Sequence, residues 1–188
     1  MSKEFWKPGN MLYPVPAVMV SCKRKGEKPN IITIAWAGTI SSDPAMVSIS
    51  VRPERHSYQI IKETGEFVVN LTTKELAYAT DWCGVKSGRD VDKFKEMKLT
   101  AGKAEKLAHA PIIEESPVNI ECKVKDVIDL GSHHMFLAEV AGVQVSREYM
   151  NETGKFELNQ LGLVAYSHGE YFELGEKIGK FGYSVKKK

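Results

Sequence analysis

The chain has no long hydrophobic run, few cysteines, almost no excess of charge, and none of the short signatures that mark a nucleotide loop or a hydrolase. Each absence excludes something. No stretch approaches the roughly 18 uninterrupted apolar residues of a membrane-spanning helix. Pro8, Pro14 and Pro16 break up the apolar sequence that follows the first lysines, which argues against a signal peptide. A soluble, cytoplasmic protein with no membrane contact is expected. Cys22, Cys83 and Cys122 are odd in number, far apart and free of any Cys-x-x-Cys pair, so neither a disulfide framework nor a zinc site is expected. Cys22 and Cys122 fall in strand-like runs and read as buried thiols. Cys83, beside Trp82 and Gly84 in a loop-like stretch, is better placed to meet a ligand. A formal charge of +2 gives no electrostatic case for a nucleic-acid partner.

Motif absences narrow the chemistry. There is no Gly-x-Gly-x-x-Gly for a dinucleotide fold. Gly175 to Lys180 imitates a phosphate loop but has three residues between its glycines, and Phe181 stands where a Ser or Thr would hold magnesium. Neither His-Glu-x-x-His nor Gly-x-Ser-x-Gly occurs, and histidines 56, 109, 133, 134 and 168 lack metal-ligand spacing, so no metal is expected. His133 and His134 open a strand and point to opposite faces, so at most one reaches a given site. Without a self-sufficient set of acid, base and nucleophile, a bound cofactor is the expected carrier of chemistry, which favours a redox reaction over hydrolysis.

The chain's 188 residues suit one domain, 1–188, with a sizeable core. The sequence is organised around Asn30 to Ser57. An apolar run, Ile31 to Trp36, passes through the small segment Ala37-Gly38-Thr39 and turns at Ser41-Ser42-Asp43-Pro44. From Ala45 to Val51, Val47, Ile49 and Val51 alternate with Ser48 and Ser50, the period of a strand with one apolar face. The two apolar runs are expected to pair as an antiparallel hairpin. Their small polar face leaves room for something flat. Beyond it, Arg52, Arg55, His56 and Ser57 precede a helix expected over 58–64, and a helix start flanked by arginines is an anion site. A planar group over small residues with a phosphate at the strand end describes flavin mononucleotide, FMN. Singly, each residue also reads as an ordinary feature, Ser57 as a helix cap and the arginines as solvated charges.

Elsewhere, residues 1–14 read as an arm whose Phe5, Trp6 and Tyr13 pack over the body, and Val15 to Lys23 as a strand that forms a meander with the hairpin. Gly65 ends the helix, and strands are expected at 67–71, 118–124 and 135–145, the last two around a turn at 129–132. One or two short strands fall within 156–166. Helical segments are expected near 74–81 and 91–95, with a glycine-rich loop at 83–90 that either faces a ligand or only connects. Residues 185–188 form a basic tail. Hairpin-linked strands without βαβ alternation predict a mainly β fold, an antiparallel β-barrel with inserted helices.

The segments PVPAVMVS (14–21), NIITIAWAGTISSDPAMVSISVRPERHSYQII (30–61), GEFVVNL (65–71), SGRDVDKF (87–94), APIIEESPVNIECKV (110–124) and GSHHMFLAEV (131–140) resemble the flavin reductase-like family, the flavoredoxin branch of the FMN-binding split barrels. The resemblance implies a Greek-key split barrel, a homodimer, and FMN as cofactor. By position, Trp36, Ala37, Gly38, Thr39, Ile40 and Ser41 would line the flavin ring, largely through backbone groups. Ser50, Val51 and Arg52 would follow the ribityl chain, and Asn30, Ser57 and Lys93 would surround the phosphate and sugar. His133 would stand where a nicotinamide approaches. The implied reaction is hydride transfer from NAD(P)H to bound FMN, then electron release to a free flavin, a ferric complex or a redox protein. Two alternatives stay open: an FMN-binding electron carrier with no NAD(P)H activity of its own, and a small-barrel binding module without catalysis.

Overall fold

A computed structural model describes residues 1–185; Lys186, Lys187 and Lys188, most of the expected basic tail, lie outside the described residues. In chain order the strands are β1 (Val15–Pro16), β2 (Val18–Cys22), β3 (Asn30–Ile34), β4 (Ala37–Ser42), β5 (Ala45–Val51), β6 (Glu66–Leu71), β7 (Ala101–Gly102), β8 (Ile112–Ile113), β9 (Val118–Asp129), β10 (His134–Val145), β11 (Val164–Ser167) and β12 (Glu170–Glu173). Helix α1 (His56–Thr64) lies between β5 and β6, and α2 (Ala77–Val85) and α3 (Lys93–Glu96) follow β6. Seven strands form one antiparallel sheet in the order β3-β2-β6-β9-β10-β5-β4, curled into a half-barrel. The fold is the expected mainly β split barrel with inserted helices.

The alternation in β2 explains how the sheet is covered. Val18, Val20 and Cys22 face the barrel interior with Ile49, Phe67 and Phe136, while Met19 points the other way into a second cluster with Leu76, Ala79, Cys83 and Phe94. The strand is therefore buried along its whole length. Tyr58, Ile60 and Ile61 carry α1 into the interior cluster. Full burial of a side chain such as Phe67 or Phe136 contributes about 1.5–3 kcal/mol. Gly65, at φ +68°, closes α1 by donating its N–H to Ile61 O, as expected from the sequence.

Several expectations need correction. The run at 31–36 does not pair with β5. β3 stops at Ile34, the chain crosses the barrel mouth, and β5 pairs instead with β4, Gly38 standing opposite Ser48. β3 and β4 occupy the two edges of the sheet, so the three consecutive strands do not form a meander. A single bond, Ser50 N–H to Trp36 O at 2.8 Å, bridges the corner. Of the arm, only Tyr13 packs, against Trp36, Tyr166 and His168; Phe5 and Trp6 are 100% and 71% exposed. Of the short strands expected within 156–166, β11 begins there, at Val164, and it pairs with β12, which is not among the expected strands. The turn of this hairpin is His168-Gly169, at φ +49° and +95°, and β1 completes a small three-stranded sheet.

Candidate functional site

α1 begins at His56, with Arg55 as its N-cap in extended backbone and no side-chain cap bond. Ser57 is therefore not a cap. Its hydroxyl is buried and accepts a 2.7 Å hydrogen bond from Asn30 Nδ2, which links the first residue of β3 to the first turn of α1. Beside them a cavity of about 290 Å³ opens, lined by Asn30, Arg55, Ser57, Gly88, Arg89 and Lys93 among others. The backbone N–H groups of the first turn and the positive end of the helix face this region.

Lys93 is buried, and its ammonium donates to Ile31 O at 2.7 Å and Cys83 O at 2.6 Å. Burial pushes its pKa down to about 8; the charge of Arg55 acts in the same direction, and Cys83 and Cys22 oppose it. An ammonium carries three protons, so one remains for a ligand. Burial likewise pushes the thiols of Cys83 and Cys22 up to about 11 and about 12, so both are protonated at neutral pH.

The loop after α2 forms the outer wall. Cys83 lies in α2, which runs on to Val85, so the expected loop begins later than its glycine content suggested. Gly84 is helical with Thr33 packed against it: an added Cβ would meet Thr33 Cβ at 3.1 Å. At Gly88 an added Cβ would stand 2.0 Å from Asn30 Oδ1, so only glycine lets this backbone close over Asn30. Arg89 Nη2 donates to Glu54 O at 3.1 Å, tying this loop to the start of α1.

Two further hollows adjoin the cavity. One of about 160 Å³ shares Ile32 and Arg55 with it and adds Trp36, Ser50, Val51, Arg52 and His133. The next, about 580 Å³, shares Trp36, Ser50 and His133 and is walled on its other side by Gly9 to Leu12 of the arm, with Leu130. The three run end to end as one trough, anionic-ligand chemistry at one end and apolar and aromatic walls at the other. Burial, then the nearby charge of Arg52, lowers the pKa of His133, with Arg55 acting in the same direction and Glu54 opposing it. As expected, its neighbour turns inward: His134 Nδ1 lies 2.6 Å from the buried Tyr58 hydroxyl.

The trough thus gathers Asn30, Trp36, Ser50, Val51, Arg52, Ser57, Lys93 and His133. Ala37, Gly38, Thr39, Ile40 and Ser41 continue as edge strand β4 and line none of the three hollows. Of the two readings open for the loop at 83–90, the cavity wall of Gly84, Ser87, Gly88 and Arg89 favours the one that faces a ligand; the arm residues Gly9 to Leu12 carry no signal in the sequence that places them at a site. The close glycine-to-Asn30 approach is a tertiary fact; only the run Lys86-Ser87-Gly88-Arg89 hinted at it. Among the described residues no cluster of metal-ligating side chains occurs, and no helix is long and apolar enough to cross a membrane.

Residues 10–175 match the family of the flavin reductase like domain. The chain belongs to this family. Its fold is similar to the flavoredoxin of Desulfovibrio vulgaris (Miyazaki F), with a TM-score of 0.90 and 28% identity, covering 98% of this chain and 100% of that one. An uncharacterized protein of Pyrococcus abyssi is 31% identical over 168 residues, 89% of this chain and 95% of its own length. An NADPH-flavin oxidoreductase of Streptomyces viridifaciens is 24% identical over 125 residues, 65% of this chain and 63% of its own.

Proposed function

We propose that the trough binds FMN and that the chain is an FMN-dependent oxidoreductase of the flavin reductase type, drawing electrons from NAD(P)H. The observation that carries this reading is the continuity of the trough. A cavity with a buried hydroxyl, a buried ammonium and a helix N-terminus suits a phosphate, and it leads through a narrow polar neck into a groove beside Trp36 that suits a planar ring. The wall at the phosphate end is close-packed: a Cβ added at Gly88 would stand 2.0 Å from Asn30 Oδ1.

In this reading Ser57, Lys93 and the α1 N-terminus hold the phosphate, and Asn30 orients Ser57 through their mutual bond. Ser50, Val51 and Arg52 border the ribityl chain. Trp36 flanks the ring; Ala37, Gly38, Thr39, Ile40 and Ser41, on edge strand β4, lie outside the three hollows and meet the ring only where its rim extends beyond Trp36. When bound, FMN supplies the acceptor for a nicotinamide hydride and returns electrons to a free flavin, a ferric complex or a redox protein. The chain's own part is to position, exclude water and balance charge. His133 and the arm residues Met11 and Leu12 border the side from which a nicotinamide approaches, and no side-chain acid or base is required.

The apolar side chains left in water, Phe5, Trp6, Leu12, Ile40 and Phe181, support a homodimer in which a second copy covers them. The same reading takes the chain as one cytoplasmic domain without nucleic-acid or membrane partners. The likeness to a flavoredoxin favours a second reading, an FMN-binding electron carrier that is reduced by another protein. Anaerobic mixing with NADH and NADPH separates the two: rapid bleaching of the flavin band supports the enzyme, and no bleaching with either leaves the carrier.

A further inference from the structure

Tyr58 directly follows Ser57 in the first turn of α1, and its ring packs edge-on against His134 and Phe136 with centroids at 5.2 and 5.4 Å. Its hydroxyl lies 2.6 Å from His134 Nδ1. On the far side of that imidazole, Nε2 lies 3.5 Å from Asp129 Oδ1. The same carboxylate oxygen accepts the N–H of Gly131 at 2.7 Å, and Leu130 N–H donates to His133 O at 3.0 Å. With the Nε2 proton facing the carboxylate, Nδ1 is left to accept from the tyrosine, so the chain Tyr58–His134–Asp129 has a single polarity.

This chain joins the two ends of the trough. Tyr58 stands next to Ser57 at the anion cavity, and Asp129 holds the β9–β10 turn from which Leu130, Ser132 and His133 face the 580 Å³ groove. The turn, with Gly131 at φ +90°, is otherwise held by the pairing of Asp129 with His134 and by the 3.0 Å approach of Ser132 Oγ to His133 Nδ1, both local to the hairpin; the Tyr58–His134 contact is what ties it to α1. We propose that His134 is a positioning residue, a strut between the first turn of α1 and the β9–β10 turn that sets where His133 stands in the groove. Its part in nicotinamide binding rests on the flavin reductase reading; its part in fixing the turn does not.

The experiment is amide hydrogen exchange by NMR on the full chain, paired with steady-state kinetics, in Tyr58→Phe, His134→Phe and His134→Gln. Tyr58→Phe keeps the ring that packs on Phe136. Exchange at Leu130 and Gly131 is expected to quicken about tenfold in Tyr58→Phe and His134→Phe, with core amides such as Val20 and Phe67 unchanged. Retaining a donor and an acceptor, His134→Gln recovers part of the protection. In the same two variants the nicotinamide KM rises about fivefold with kcat within about twofold. Unchanged exchange at the turn, or an equal quickening throughout the core, overturns the strut. Faster turn exchange in a protein that shows no nicotinamide activity keeps the strut and removes only the reading on which its kinetic part rests.

Discussion

Two buried polar clusters lie on either side of the curled sheet and behave in opposite ways. Outside the barrel, Glu66 accepts the N–H groups of Ala108, His109 and Ala110, and Glu121 accepts those of Glu105 and Lys106 together with Gln144 Nε2. Those two carboxylates are closed onto the loop they hold. At the mouth of the barrel, Asn30, Ser57 and Lys93 are as deeply buried, yet they border an open cavity and keep donor capacity toward it. Burial of polar groups alone therefore does not mark a site. What marks one is capacity directed into space that a ligand can fill.

The largest expected effect separates the two clusters by stability. Glu66→Ala strands three backbone N–H groups and should lower unfolding free energy by about 3 kcal/mol in urea denaturation, while the folded protein binds FMN as before. At the other cluster, Lys93→Ala should weaken FMN binding about 30-fold, and Ser57→Ala about fivefold, each measured by fluorescence titration with the fold retained. Lys93→Ala also deprives Ile31 O and Cys83 O of their donor and loses some stability with it; a stability loss in Ser57→Ala equal to that of Glu66→Ala would erase the distinction. Gly88→Ala sharpens it further, because the new Cβ must displace Asn30 and so reaches Ser57 indirectly; a loss comparable to that of Ser57→Ala is expected.

The smallest effect is one of pH. Burial holds the pKa of Lys93 down to about 8, and a phosphate dianion beside it favours its charged form. FMN affinity is then highest where Lys93 is already protonated and falls as pH rises through about 8, by about threefold across the unit centred there. Lys93→Ala should flatten that dependence. Glu121 offers the contrast: burial raises its pKa, but the N–H donors from Glu105, Gln144 and Lys106 outweigh it and hold the carboxyl below its usual range. Its contribution to stability is present above the unfolded carboxylate pKa and is lost only as acid protonates it.

Much of this was legible in the sequence. The alternation of β5, β9 and β10 announced strands, Gly65 announced the end of α1, and Asn30, Ser57 and Lys93 were brought to one cavity as the family resemblance implied. The pairings of β2 with β3 and of β9 with β10, and the turn at Asp43-Pro44 that leads into β5, were legible; the partner of the run at 31–36 was not. Two apolar runs separated by a turn look like partners, but the bend after Ile34 carries the chain to the opposite edge of the sheet, and only the closed curl of the barrel shows it. The helix expected near 74–81 is displaced to Ala77–Val85: Gly84 lowers helix propensity locally, yet it is helical, with Thr33 packed against it. Phe5 and Trp6 are expected to pack by hydrophobicity, a rule that runs one way only: apolar side chains also stand in water, as these two do.

The central claim is that the cavity at the start of α1 is a phosphate site at the end of a flavin trough. Its most direct test is the ratio of FMN to riboflavin affinity, measured by titration calorimetry in the wild type and in Lys93→Ala. The account predicts FMN binding about a hundredfold tighter than riboflavin, with the preference largely lost in the variant. Equal affinities for the two flavins in the wild type, or no binding of either, would contradict it.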